Sequence, residues 1–302
     1  MNIGKLLIAL DFSDTAVAAA TWAVEYFAPG AQVTLLHVID PPHRPVFATE
    51  SLPPEAALEA MAREYAARRM DDLTRSLKLP VTRAEIRIGK PHEQIVTMAT
   101  DIGADVVVLG PHGHRSRPSR FLGSTADRVV RTSPVPVLVA TSPAAHPPRR
   151  ILVPVDDSSI TPILLTWARD LAERFDGDIT LLHVWSNAAY SHVASMSYAT
   201  TRNEDDARRE IEKDLRDAAT YWLKEIARTG VERARVTATV AYGDAGDRTI
   251  ETAMATQADL IVLGRHGSGL IAAALLGSTV GTVLHGARCP VLVVSTLPHS
   301  GS

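Results

Sequence analysis

The chain has 302 residues, 46% of them hydrophobic and 22% charged, with a formal net charge of −3. That length suits two cores of about 150 residues each. The near-neutral balance excludes a general attraction to nucleic acid or anionic lipid. The single cysteine, Cys289, excludes an internal disulfide framework and fits a reducing compartment.

The first apolar run, Ile3 to Leu10, contains Gly4 and Lys5 and stops at Asp11 without a small-residue cleavage site. It reads as a strand near 5–11 rather than a secretory signal, and a cytoplasmic protein is expected. Helical periodicity near 14–28, 54–78, 91–102 and 124–132 alternates with β-branched runs near 32–39, 83–89, 105–110 and 135–140. Residues 142–149 carry three prolines and few apolar side chains, as an exposed linker does. Beyond it, strands are predicted at about 150–156, 178–185, 233–242, 259–264 and 290–295, with helices between. Runs such as VVVLG and LIVLG are apolar on both faces, which suits parallel strands covered by helices. The alternation predicts an α/β protein of two doubly wound domains, 1–141 and 150–302. The stretch Leu270 to Ala287 carries no formal charge, but it is rich in Gly and Thr. Its counterpart holds Arg120, Asp127, Arg128 and Arg131, so a membrane span is not expected. The charged segments Glu59 to Arg75 and Arg202 to Lys213 read as solvated helix faces with no partner.

An internal repeat underlies this pattern. KLLIALDFSD returns as RILVPVDDSS, VTLLHVID as ITLLHVW, ADVVVLGPHG as ADLIVLGRHG, and SPVPVLVAT as ARCPVLVVS. The extra length of the second copy falls in Asn187 to Thr201.

Glycines recur at the same spacing in both copies. Gly110, Gly113 and Gly123 precede Ser124 and Thr125; Gly264, Gly267 and Gly277 precede Ser278 and Thr279. Glycines at the end of a fourth strand let backbone amides approach an anion and adopt positive φ. A Ser at the next helix start adds donors and partial positive charge, which suits a polyphosphate. The plainer reading is that glycines merely end strands, with Ser124 and Asp127 forming a capping box.

A second element closes each first strand, Asp11 with Ser13 and Asp156 with Ser158. Ligands of open parallel sheets bind where the strand order reverses. If the first and fourth strands are neighbours, each acid faces a glycine loop across the crevice. A carboxylate repels phosphates, so it belongs at the nucleoside end; the alternative is a helix N-cap.

With these motifs the chain resembles the universal stress protein family in its tandem two-domain form. The resemblance spans nearly the whole chain, and its most specific mark is Gly-x2-Gly-x9-Gly-Ser/Thr, complete in both halves. It implies five-stranded parallel sheets in order 3-2-1-4-5, ATP binding and stress-linked regulation, often as dimers. It further implies that Asp11 and Asp156 meet adenosine and that Val38 and Val184 pack on adenine. Phosphate contacts would fall to Gly110, Gly113, Gly123, Ser124 and Thr125, and to Gly264, Gly267, Gly277, Ser278 and Thr279. His112 and His266 sit where the family often has a basic or polar side chain near phosphate. Pro154 matches a residue the family tends to show near adenine, where the first half has Ala9. The first loop, HRSRPSR, is stiffened by Pro118, whereas the second reads SGLIAAA.

No GxxxxGK[ST] loop, zinc-ligand spacing or nucleophile triad is present in the sequence. Asp156 with Asp157 reads as a capped turn, and any magnesium is expected to bridge phosphates with few protein ligands. The leading expectation is an ATP-binding regulatory protein without catalytic residues. The alternatives are a slow ATP hydrolase or phosphotransferase, and a nucleotide-free scaffold. The apolar terminal strands VPVLVA and CPVLVV are expected to pair with one another or across a homodimer.

Overall fold

The first strand, β1 (Lys5–Leu10), is LLIAL-rich, and Leu6, Leu7 and Ile8 are each fully buried. A strand apolar on both faces needs helices above and below it, and the chain supplies them in alternation. In this computed structural model, residues 3–41, 53–76, 81–111, 122–185, 204–230, 235–265 and 277–295 are described. After β1 come α1 (Asp14–Trp22), continued by one π-helical turn at Ala23–Phe27, β2 (Gln32–Ile39), α2 (Glu55–Ser76) and β3 (Val81–Ile88). Then follow α3 (Pro91–Asp101), β4 (Val106–Leu109), α4 (Ser124–Thr132) and β5 (Val137–Val139). The second copy runs β6 (Arg150–Pro154), α5 (Thr161–Phe175), β7 (Asp178–Trp185), α6 (Glu204–Gly230), β8 (Arg235–Tyr242), α7 (Ala245–Ala255), β9 (Leu260–Gly264), α8 (Ser278–Gly286) and β10 (Val291–Val294).

The described residues divide into two compact units, one up to Pro147 together with those from Arg288 onward, the other from Pro148 to Ala287. In the first, the strand order is β3-β2-β1-β4-β5-β10. The first five strands are parallel, in the 3-2-1-4-5 order, while β10 pairs antiparallel with β5, Leu292 opposite Leu138. The terminal strand of the second copy therefore closes the edge that β5 would otherwise expose. In the second unit, β9-β6-β7-β8 are parallel, in the same order as β4-β1-β2-β3. Right-handed crossovers put the helices that follow β1 and β2 on one face and those that follow β3 and β4 on the other. Accordingly α3 packs on α4 in one unit, and α5 on α6 and α7 on α8 in the other. The long α2 is a solvated helix that buries only Ala66, Met70 and Leu73 fully. No helix among the described residues is long and apolar enough to cross a membrane.

Several strands are shorter than their apolar runs. The fifth starts at Val137 rather than 135, because Pro134 and Pro136 bring no backbone donor to a ladder. The sixth stops at Pro154 rather than 156.

One contact that the sequence did not announce ties β1 to β4. The Asp105 carboxylate accepts the amides of Gly4 and Lys5, both at 2.8 Å. Its repeat, Asp259, accepts those of Arg149 and Arg150 at 3.2 and 2.9 Å, and its other oxygen takes the Arg150 guanidinium at 2.7 Å. The counterpart of Arg150, Lys5, instead turns its Nζ to the Ile102 carbonyl. Removing the 8%-exposed Asp259 strands two amides and takes the carboxylate from the Arg150 guanidinium, which keeps Gln257. Asp259→Ala is therefore expected to cost about 2–3 kcal/mol and Asp105→Ala about 1–2 kcal/mol in urea unfolding; equal, negligible losses would refute these roles.

Candidate functional site

Because Leu6, Leu7 and Ile8 of β1 lie beside Val106, Val107 and Val108 of β4, Asp11 and Gly110 leave neighbouring strands at the same carboxyl edge. Val38 reaches that edge from the other side, since β2 pairs with β1 up to Leu10 and His37. In the second unit Asp156 and Gly264 follow β6 and β9 in the same way, with Pro154 opposite Leu182 and Val184 at the end of β7. Val38, Val184 and Pro154 are half-buried, as are Asp11 and Asp156. His112, Gly113, His266 and Gly267 lie outside the described residues.

The glycines do different jobs. A Cβ on Gly110 would stand 3.1 Å from the backbone N and Cα of Ala16, so the missing side chain lets the first turn of α1 close over the end of β4. Gly123 and Gly277 are the N-caps of α4 and α8, at φ −62°, ψ 144° and φ −55°, ψ 143°. None of Gly110, Gly123, Gly264 and Gly277 is among the positive-φ glycines of the described residues, which are Gly30, Gly89, Gly103 and Gly243. For these four glycines the expectation of positive φ is corrected, since extended backbone suffices for an N-cap; Gly113 and Gly267 lie outside the described residues. The Gly123 amide donates to the Pro111 carbonyl at 2.9 Å and the Gly277 amide to that of Arg265 at 3.4 Å. Each loop is closed at its base by the same bond.

The capping box is also replaced. Ser124 is the first helical residue rather than the cap, and Asp127 instead takes the Arg131 guanidinium through both oxygens, at 2.8 and 3.0 Å. With glycine as cap, neither α4 nor α8 has a side-chain cap hydrogen bond among the described residues. Two helix N-termini therefore present amide donors and the positive end of a dipole at the carboxyl edge. Ser124 and Ser278 are exposed there, with Thr125 and Thr279 half-buried behind them.

Nor is the acid an N-cap. Oδ1 of Asp11 accepts the Ser13 amide at 3.1 Å and its hydroxyl at 2.6 Å, while Ser13 caps α1 by accepting from Ala16. Asp156 makes the same turn with the Ser158 amide and hydroxyl, but α5 starts later, with Thr161 donating to the Asp156 carbonyl at 2.6 Å.

Beyond the predicted set, Phe12 adopts φ 62° and yet is only 6% exposed. That left-handed backbone costs about 1–2 kcal/mol in a residue with a side chain. The ring stacks on His37 with centroids 4.4 Å apart, and Arg69 lies over it at 5.7 Å while donating to the Phe12 carbonyl. In the second unit Asp157, exposed and without positive φ, takes the place of Phe12. A cleft of about 500 Å³ opens there between α5 and α6, lined by Asp156, Asp157, Leu165, Arg169 and Trp222 among others. Arg265, which follows Gly264 as Pro111 follows Gly110, is buried, and desolvation draws its guanidinium below the ordinary arginine range. The bare repeat signals neither Phe12 nor Arg265, because both stand where the two copies differ.

Comparison with known proteins places this architecture. Residues 2–141 and 148–295 each match the universal stress protein family. A universal stress protein of Mycobacterium tuberculosis is 28% identical over 302 residues, covering 95% of each chain, and one of Mycolicibacterium smegmatis is 28% identical over 96% of each. Among solved structures, a universal stress protein from Archaeoglobus fulgidus superposes with a TM-score of 0.67 over 97% of each chain, at 18% identity. This last likeness is one of fold.

His37 supplies a test of the local electrostatics. Burial lowers its pKa from 6.5, against the opposing pull of the Leu10 carbonyl and the Asp11 charge. The unfolded chain thus takes the proton more readily than the folded one. The contribution of His37 is present above about 6.5 and is lost as the pH falls through its folded value. His37→Asn is expected to flatten the acid limb of the stability profile, and the wild-type imidazole should titrate below 6.5 by NMR; a midpoint above that value would contradict the burial seen here.

Proposed function

The chain belongs to the universal stress protein family, and on that footing we propose that it is an ATP-binding regulatory protein. Two nucleotide-binding domains, 1–141 and 150–302, are joined by the linker 142–149. In each, the phosphates lie against the N-terminus of the helix after the loop: Gly123, Ser124 and Thr125 in the first, Gly277, Ser278 and Thr279 in the second. Gly110 with Gly113, and Gly264 with Gly267, shape the approach, and His112 and His266 flank the phosphates. Asp11 and Asp156 meet the nucleoside, with Val38, Val184 and Pro154 near the base. Magnesium, where present, comes with the nucleotide as a bridge between phosphates.

The observation that carries the reading is the pair of glycine-capped helix starts. In both units first-turn amides without a side-chain cap stand at the carboxyl edge where the sheet order reverses. The carboxylates lie on the neighbouring strand, where they serve the end of the ligand that carries no charge. Ligand binding would act by population shift, favouring one arrangement of the loop between the fourth strand and the last helix.

The dihedrals of Gly123 and Gly277 are open to any residue. Gly123→Val and Gly277→Val are therefore expected to fold normally and each to lower ATP affinity at one site by about tenfold or more. Isothermal titration of the full chain, with mass spectrometry of released ligand, reads both number and affinity. Gly110→Val behaves differently: it collides with Ala16, and a loss of about 1–3 kcal/mol of stability is expected. Wild-type ATP binding in the Gly123→Val, Gly277→Val double variant would end the proposal.

A further inference from the structure

Both units carry a histidine in the second strand, His37 and His183, to which the nucleotide reading gives no task. Each is half-buried. Each places Nδ1 on the carbonyl of the residue just before the acid, 2.7 Å from Leu10 in one unit and 3.0 Å from Val155 in the other. A carbonyl oxygen only accepts, so Nδ1 carries the proton in both rings. The ladder between first and second strands is running out here, with Leu10 opposite His37 and the Val155 amide already spent on Leu182. The imidazole adds one more rung from a side chain, at the point where the strand turns toward the acid.

The surroundings of the two rings differ. Phe12, from the turn itself, stacks on His37, whereas Trp222, from α6, meets His183 edge-on at 5.1 Å. Different aromatics from different elements hold the same ring in the same contact. The shared feature is the bond to the carbonyl, not the packing.

We propose that His37 and His183 are positioning residues for nucleotide binding. By holding the last carbonyl of the first strand, each sets the direction in which Asp11 or Asp156 leaves the sheet toward the nucleoside. This rests on the nucleotide reading above. It assigns the histidines to the nucleoside end alone, since the phosphate end is built by α4 and α8, which they do not touch through this bond.

The test uses the full chain and two ligands, ATP and inorganic tripolyphosphate, read by displacement of a fluorescent ATP analogue. Asparagine puts an amide donor where Nδ1–H stands; glutamine puts it where Nε2 stands. The His37→Gln, His183→Gln pair is expected to lose about tenfold in ATP affinity and less than about twofold for tripolyphosphate. The His37→Asn, His183→Asn pair should recover most of the loss. Should either pair fail to fold by circular dichroism, the single variants take its place, each weakening one site. Equal losses for both ligands, or equal losses in the Asn and Gln variants, overturn the proposal, as does unchanged ATP affinity in the Gln variants. If tripolyphosphate does not displace the analogue from the wild type, the Asn and Gln contrast decides. A wild-type chain that takes up no adenine nucleotide brings down the nucleotide reading, and this assignment with it.

Discussion

In each unit the first strand has its second-strand neighbour on one side and its fourth-strand neighbour on the other, so the chain reverses direction across the sheet beside it. The connecting helices lie on opposite faces, and no connection crosses the carboxyl edge between those two strands. A crevice is the necessary result. At the amino edge the same two strands are tied by a carboxylate, Asp105 or Asp259, that accepts consecutive amides of the first strand. The pinned edge and the open edge are complementary: one fixes strand spacing, and the other is left to chemistry.

At the open edge, one glycine motif divides between packing and helix capping. Gly110 is small because a helix sits on it. At Gly123 and Gly277 a helix begins without a side-chain cap hydrogen bond. The first kind of glycine admits a packed helix and the second starts one, although the sequence writes both with one letter. The Asx turns at Asp11 and Asp156 have a similar double character. One carboxylate oxygen holds the turn through the serine two residues on, which orients the group without burying it.

The units are related but not equivalent. Phe12 fills in the first what Asp157 leaves open in the second, and Arg265 brings a buried cation to the base of a loop whose counterpart begins with Pro111. The Arg265 backbone carbonyl takes the Gly277 amide at the start of α8. The two loop bases thus differ in side chain while sharing backbone design. What they have in common lies in the backbone and in residues that bond to it: the acid turn, the glycine cap, the strand-two histidine.

How much of this was legible follows from what each feature depends on. Alternating apolar runs and the repeat are local patterns, and burial in a parallel sheet reads them nearly one to one; β1, β2 and β4 stand within a residue or two of their expected places. The reach of β5 was less legible, because prolines before it interrupt a ladder that hydrophobicity alone would extend. Hidden altogether were contacts joining residues about a hundred positions apart, such as Asp105 with Gly4, or set by a neighbour on another element, such as Ala16 against Gly110. By itself the sequence determined the elements and their duplication, since those follow from the side chains in order. Only the tertiary structure decided which glycine packs against a helix and which caps one, that serine rather than aspartate caps α1, and that β10 pairs with β5, because each depends on atoms that meet only after the chain has folded.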